Sequence, residues 1–523
     1  MKSVSSSQFA AWSLLGAVFG VVVYRACVQP IAHDEALTFV WFLDGGVYKL
    51  LEFNSTNHVL FTLLSKVFVK VFDLNELSIR APSVIGSAAY LLTLYLLCQK
   101  IFGDGLLMLI TVAMLCLNPQ IMDFMVAARG YSLGMACLCI TMYFLSKIAG
   151  RECIDPDDKE MLLEVSVASV FLALSVASNL TNLIPAFALT VSFYAVVMPG
   201  ATPIRLSGRK HRMFARHFLA PGMIVGLFIL WPFLIQARPQ QFRMGLQKSS
   251  EALRDIFNSS FLYKWTGDIY AYSLGAIPPS PGSWQERVSD CGVYILLPVL
   301  FIFVLAGVIL AAHRPFEPSK PQSLYCRLFG SAAICTVALT VILHIVANVN
   351  YPVARTCLYF IPFFTLGGML SAKEFSWRLS IWPLKFAGLL LSFVILADYA
   401  AAMNTKYFRY NAYDSISRTM FQVILNDARS RALSTVRVGG TWWYQPEIDF
   451  YRRRYKAESI LPYDIKDPSY FWQTPNSLMP RDYDYFVFTP GGDPNLDGPQ
   501  VRVIFHDKDV GVTVIRIAKW IYQ

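Results

Sequence analysis

Long apolar blocks recur along most of the chain and limit its possible folds more than any other feature. About 20 apolar residues suffice for one helical crossing of a bilayer, and shorter blocks can cross with help from interfacial flanks. The blocks predict about eleven spans, at residues 9–28, 82–98, 105–120, 131–147, 161–178, 183–198, 218–236, 292–312, 329–347, 357–371 and 384–402. The predicted fold class is therefore an α-helical polytopic membrane protein.

The composition supports this class and argues against a nucleic-acid-binding protein. Hydrophobic residues make up 55% of the 523 residues and charged residues only 15%, whereas soluble domains carry about 25% charged residues. The net charge is +10, but the basic residues lie in short loops between apolar blocks rather than on one surface. The 10 cysteines show no CxxC or metal-type spacing, so they fix no redox compartment.

Basic residues between the spans predict which side of the membrane each loop faces. Lysines and arginines concentrate in four loops that the proposed spans place on one side, at 147–159, 205–216, 314–327 and 373–385. Short basic loops stay in the cytoplasm. The N-terminus is therefore expected in the cytoplasm, with the first outer loop 29–79 and the long outer loop 237–291 outside.

Two segments near the N-terminus need a specific interpretation for this topology to hold. Residues 58–72 are short for a crossing and contain two lysines, which favours an interfacial helix. Pro82 is expected in the first turn of the next span, a position that tolerates proline. Arg80, just before it, could simply extend its guanidinium to the interface.

The tail after residue 403 changes character and predicts a small extracytoplasmic α/β domain over 404–523, separate from a transmembrane module over 1–403. It is polar and contains no span. An amphipathic helix is predicted at 413–431, and short strands are predicted at 436–439, 485–489, 501–505 and 512–517. The domain could be a structural cap or could bind an acceptor. Trp442, Trp443 and Tyr444 could stack on a sugar or pack in a core.

Ionisable residues at the predicted outer ends of the spans are the candidates for chemistry. Asp34 and Glu35 lie just beyond the first span, where charge is costly and usually functional. Arg129, Arg243 and Arg355 lie in or beside other outer loops. A carboxylate can act as a general base toward a hydroxyl or amine, and arginine suits a lipid phosphate. These parts fit glycosyl transfer from a polyprenyl-phosphate sugar.

Five short segments, taken in order, resemble the GT-C glycosyltransferases. They are HDEALT at 33–38, NHVL at 57–60, LSIRAPS at 77–83, ARGYSL at 128–133 and PVART at 352–356. The resemblance covers about residues 9–402 and is closest to the branch of protein O-mannosyltransferases, aminoarabinose transferases and uncharacterised bacterial relatives. The order and spacing of the segments are more specific than any one of them.

The resemblance implies roles for particular residues. Asp34 matches the acidic residue held to be the catalytic base in that family, and Glu35 would orient Asp34 or the acceptor. The candidates for substrate binding are His33, His58, Arg129, Tyr131, Arg243 and Arg355. The implied donor is a polyprenyl-phosphate sugar, the acceptor a lipid, glycan or protein, and the location a bacterial inner or cell membrane.

The sequence also departs from the family pattern. Relatives often carry an acidic residue directly before the Arg-Gly-Tyr motif, where this chain has Ala128, and Asp123 is a candidate substitute. No cofactor is certain. Some relatives use a divalent metal ion, for which His33, Asp34, Glu35 and His58 could supply ligands, although their spacing is not compact. A transporter or flippase of a lipid-linked or polar substrate, or an inactive scaffold of the same fold, remains an alternative.

Overall fold

The structure is a computed structural model, and its helices follow the apolar blocks of the sequence. It describes residues 5–46, 49, 54, 56–151, 154–199, 208–236, 245–260, 283–313, 321–378, 382–440, 442–462, 483–488 and 501–517. The α-helices up to residue 260 are α1 Ser6–Val28, α2 His33–Thr38, α3 Val59–Phe72, α4 Glu76–Phe102, α5 Leu106–Cys116, α6 Pro119–Val126, α7 Tyr131–Ala149, α8 Lys159–Ser178, α9 Leu183–Ser192, α10 Gly208–Met213, α11 Ala220–Leu234 and α12 Ser249–Ser260. The later ones are α13 Trp284–Cys291, α14 Leu297–Ala312, α15 Gln322–Ala347, α16 Phe360–Arg378, α17 Trp382–Ala402, α18 Ser417–Ser430 and α19 Gln445–Arg454.

The apolar helices confirm a polytopic membrane protein. Among the described residues, eight helical segments are long and apolar enough to cross a bilayer, or nine if α5 and α6, which meet at a bend of 57°, form one broken span. The predicted spans at 357–371 and 384–402 are also helical, as α16 and α17, but neither is among the segments counted. Helix α3, where the sequence predicts an interfacial helix, is not counted either.

Helix α4 begins earlier than the sequence predicts. Asn75 caps it by accepting the Ser78 backbone N–H at 2.9 Å, and the Ser78 hydroxyl accepts the Asn75 N–H at 3.0 Å. Pro82 therefore lies inside the helix, and its expected place in the first turn is wrong. The capping box adds a first turn and a half whose side chains bind other parts of the protein.

The C-terminal segment contains the predicted small α/β unit. Its strands are β1 Val438–Gly440, β2 Tyr485–Phe488, β3 Val501–Asp507 and β4 Val512–Ile517. They form a sheet in the order β1-β2-β4-β3, in which β1 and β2 are parallel and the other pairs antiparallel. Helix α18 buries one face, including Phe421 and Ile424. All four strands lie close to their predicted positions.

One apolar cluster joins this unit to the loop that follows the first span. It contains Ile31 and Ala36 from around α2 together with Phe421, Ile448 and Val487 from the C-terminal unit. Beside it, the buried Glu76 carboxylate accepts from Arg418 at 2.7 Å and from the Tyr451 hydroxyl at 3.2 Å, and it pairs with Arg454. The C-terminal unit therefore packs directly on the Asp34 region, while a boundary at residue 403 stays a prediction.

Candidate active site around Asp34

Asp34, Arg129 and Arg355 meet although they are far apart in sequence. The Asp34 carboxylate forms an ion pair with the Arg355 guanidinium, 321 residues later. Arg129 Nη1 donates to the Asp34 backbone carbonyl at 3.1 Å, across 95 residues. The Asp34 and Arg355 side chains are 20% and 23% exposed. A carboxylate and two guanidinium groups thus converge. Asp34 and Arg355 are partly open to solvent, whereas Arg129 is buried behind them, with 3% of its surface exposed.

Glu35, the neighbour of Asp34, has a different environment and is 1% exposed. Its Oε1 accepts from Arg80 Nε at 2.8 Å and from the Ala128 backbone N–H at 2.6 Å. Its Oε2 accepts from Arg80 Nη2 at 2.5 Å and from the Ala32 backbone N–H at 2.8 Å. The two oxygens thus make four hydrogen bonds, so that Glu35 fixes the backbone on both sides of the site.

Arg80 is the partner of Glu35 and is fully buried. Besides Glu35, its guanidinium donates to the backbone carbonyls of Ala26 at 3.2 Å, Gln29 at 2.8 Å and Pro30 at 2.7 Å. All five of its N–H groups therefore have acceptors. Arg80 holds the end of α1 against α4, and it does not extend to an interface as a snorkelling side chain would.

A short turn before α16 presents Arg355. Ala354 has a positive φ of 50°, which is costly for a residue with a Cβ and is often found at functional sites. Its backbone N–H donates to the Asp255 carboxylate of α12. The Thr356 hydroxyl accepts the Val353 N–H at 2.8 Å. The long outer loop thus helps to hold the turn from which Arg355 reaches Asp34.

His58 and Tyr131 pack together beside Gly130 of the Arg-Gly-Tyr motif. Their rings lie 5.0 Å apart in an edge-on arrangement, and both are buried. His58 Nδ1 lies 3.1 Å from the Ser178 carbonyl, so it carries the proton and donates. Burial, reinforced by the positive charge of Arg129, holds the pKa of His58 well below its usual value. Neutral His58 therefore packs beneath Arg129.

His33 turns toward the C-terminal unit. Its ring stacks on Trp443 at 4.1 Å, and its Nδ1 donates to the Trp443 carbonyl at 2.6 Å. Its backbone N–H donates to the Asp414 carboxylate, also at 2.6 Å. Burial lowers the pKa of His33 to about 4, although the nearby Asp414 opposes the shift. Sequence reasoning missed Asp414, because a contact across 381 residues leaves no local pattern.

The remaining predicted residues do not gather at Asp34. Arg243 lies outside the described residues. Asp123, the candidate substitute for an acid at position 128, pairs with Arg25 at 2.6 Å. For a divalent cation, the described part of the chain contains no group of three or more His, Cys, Asp or Glu side chains that could hold one. Since His33, Glu35 and His58 face three different partners, these residues do not fit a metal site.

Solved structures with similar folds follow almost the whole chain. ArnT from Cupriavidus metallidurans, solved bound to undecaprenyl phosphate, has a TM-score of 0.46 and 13% identity, covering 98% of both chains. AglB from Archaeoglobus fulgidus is an oligosaccharyltransferase that was solved with an inhibitory peptide and a dolichol-phosphate. Its TM-score is 0.42 and its sequence identity 12%, and the match covers 92% of this chain and 69% of AglB. The arabinofuranosyltransferase AftD from Mycobacteria has a TM-score of 0.42 and a sequence identity of 12%, and the match covers 99% of this chain and 40% of AftD.

Neither a protein-family model nor a curated protein matches the sequence. The three solved structures are GT-C glycosyltransferases. Their TM-scores lie below 0.5 and their identities at 12–13%, so this likeness carries no argument about the function of the chain. The fold of the chain is similar to that of GT-C glycosyltransferases, the class that its sequence motifs resemble.

Proposed function

We propose that the protein is a membrane glycosyltransferase that moves a monosaccharide from a polyprenyl-phosphate donor to an acceptor at the extracytoplasmic face. The contact between Asp34 and Arg355 carries this proposal. It places a partly exposed carboxylate beside a partly exposed guanidinium, at the end of the first apolar helix. Transfer from a lipid phosphate needs these two groups together: a base for the acceptor and a cation for the leaving phosphate.

Asp34 is the proposed general base. A guanidinium close by favours the ionised carboxylate, which is the form that can accept a proton. Arg355 can bind a carboxylate or a phosphate. When the donor phosphate arrives, Arg355 turns its positive charge toward that anion and leaves Asp34 to the acceptor.

The reaction is a single displacement with inversion. Asp34 takes the proton of an acceptor hydroxyl or amine, whose oxygen or nitrogen forms a bond to the anomeric carbon. The bond from that carbon to the phosphate oxygen breaks, and its electron pair leaves with the polyprenyl phosphate. Arg355 and Arg129 stabilise the charge that develops on this oxygen. Glu35 orients Asp34 through the backbone.

The proposed location follows from the basic loops. With four lysine- and arginine-rich loops in the cytoplasm, the N-terminus lies inside, and Asp34 and the C-terminal unit lie outside. The donor reaches the site laterally from the bilayer, in a bacterial inner or cell membrane. The acceptor is a lipid, glycan or protein that presents a hydroxyl or amine at this face.

Donor turnover tests the proposal. Purified protein is incubated with a panel of short-chain polyprenyl-phosphate sugars, and released polyprenyl phosphate is measured by mass spectrometry. We expect turnover with at least one donor and a loss of at least ~10³-fold in Asp34→Asn, which keeps the shape of the side chain but removes the base.

Asp44→Asn is the matched control. Asp44 lies in the same loop and pairs with Arg453 at 3.2 Å, but its side chain is 35% exposed and Arg453 is 51% exposed. Its substitution should leave turnover unchanged. Near wild-type turnover in Asp34→Asn would contradict the mechanism. Absence of turnover with every donor would favour an inactive scaffold or a transporter.

A further inference from the structure

The residue that precedes the helix carrying Asp34 supplies no side-chain cap. Helix α2 starts at His33, and the residue before it is Ala32, which makes no side-chain cap. The first backbone N–H groups of a helix have no partner within it. Glu35 accepts the N–H of Ala32 at 2.8 Å, but the N–H of His33 needs an acceptor from elsewhere.

Asp414 of the C-terminal unit supplies that acceptor. Its Oδ2 lies 2.6 Å from the His33 nitrogen, and its Oδ1 accepts the indole N–H of Trp443 at 3.2 Å. Asp414 is 3% exposed, so its carboxylate is held in a fixed place. A hydrogen bond in such buried surroundings is stronger than one that is exposed to water.

We propose that Asp414 is a positioning residue for Asp34, and that the C-terminal unit is a working part of the active site. This inference rests on the proposed function. The contact acts one residue before Asp34, because the nitrogen that Asp414 holds belongs to His33. Trp443 adds a second contact on the same residue through its carbonyl and its ring. The C-terminal unit thus sets the start of α2 and with it the direction of the Asp34 side chain.

The test compares Asp414→Ala with Asp414→Asn in the full-length protein. A displacement of about 1 Å at a reacting group can cost ~10²-fold in rate. We expect kcat in Asp414→Ala to fall by about that factor, while KM for the polyprenyl-phosphate sugar stays within about twofold, since Arg355 and Arg129 remain. Asp414→Asn keeps one acceptor oxygen and should lie between Asp414→Ala and the wild type.

Amide hydrogen exchange gives a second readout that needs no activity. Exchange within 33–38 should rise in Asp414→Ala, whereas exchange in β4 should not. Asp427→Asn is the control. Asp427 belongs to the same unit and accepts from Arg516 at 3.0 Å and from the Tyr485 hydroxyl at 2.7 Å. It should leave both kcat and the exchange of 33–38 unchanged.

The outcomes separate this inference from the proposed function. Wild-type kcat in Asp414→Ala, or wild-type exchange in 33–38, would overturn the positioning role. If Asp414→Ala fails to fold, a kcat in Asp414→Asn equal to the wild type would overturn it as well. A wild-type protein that turns over no donor would instead count against the proposed function, and exchange in 33–38 would still decide whether Asp414 holds α2.

Discussion

Two adjacent carboxylates, Asp34 and Glu35, show how neighbouring residues acquire different chemistry. The sequence marks both as charges beside a membrane span, and its motif pattern assigns the base to Asp34. It does not show that Glu35 is enclosed by four hydrogen-bond donors, because Arg80 and Ala128 come from other segments. The two residues could be predicted as a candidate site, whereas their division into an accessible and an enclosed carboxylate required the fold.

His33→Asn should make the protein less sensitive to acid. The pKa of His33 is lowered from 6.5 to about 4, so the folded state prefers the neutral ring. The resulting stability is complete above about pH 6.5 and is lost as the pH falls toward 4, by up to ~3 kcal/mol. Asparagine can still donate to the Trp443 carbonyl but does not titrate.

Thermal unfolding in detergent between pH 7 and 4.5 measures this effect. The melting temperature of His33→Asn should fall less over this range than that of the wild type. His506→Asn, at an exposed position on β3, is the control and should follow the wild type. Parallel pH profiles for His33→Asn and the wild type would show that His33 does not bind a proton on unfolding.

At the scale of elements, the apolar blocks predict the helices well because each membrane span depends on about 20 consecutive residues. The strands follow for a similar reason, since their β-branched and aromatic residues are contiguous. The predicted start of α4 is too late because the capping box at Asn75 lies in polar sequence outside the apolar block.

The sequence also does not show why the Arg-Gly-Tyr motif contains a glycine. A Cβ on Gly130 would lie 1.8 Å from the Ser178 carbonyl oxygen at the end of α8.

Gly130→Ala should therefore destabilise the protein and reduce transfer. A backbone oxygen cannot move aside as a side-chain tip can, so α7 and α8 must separate, at a cost of ~1–3 kcal/mol. The shift also displaces Arg129 from the Asp34 carbonyl. Melting temperature and donor turnover measure the two effects, and both should fall.

Gly16→Ala is the matched control for Gly130→Ala. It lies on α1 with nothing within 4 Å of the added Cβ, and alanine favours a helix over glycine by ~1 kcal/mol. Its melting temperature should stay the same or rise. A loss of stability as large in Gly16→Ala as in Gly130→Ala would mean that the close approach to Ser178 is not the cause.

At the scale of the whole molecule, the C-terminal unit and the first outer loop share one core. The sequence predicted a separate small domain, and its secondary structure is present, but no local pattern shows what it packs against. Glu76, Arg418 and Arg454 lie in three helices, and their charges give no sign of pairing in the sequence. The docking of this unit could be learned only from the fold.

Glu76→Gln should loosen the C-terminal unit. Glutamine leaves Arg418 and Arg454 without their shared anion. Because these two cations are partly exposed, the loss of the ion pairs should cost ~3 kcal/mol, the low end for a buried pair. Hydrogen exchange in α18 and α19 should rise, and donor turnover should fall with it. Asp44→Asn, which breaks an exposed pair worth at most ~1 kcal/mol, should change neither. Unchanged exchange in Glu76→Gln would show that apolar packing alone holds the unit.

The contact between His33 and Asp414 has a consequence for the order of events during synthesis. At a translation rate of about 5–20 residues per second, the 381 residues between them take roughly 20–80 s to make. During that time the newly made Asp34 helix waits at the membrane without its acceptor. The contact can thus form only after residue 414 has been made, and a chain that stopped before this residue would lack it.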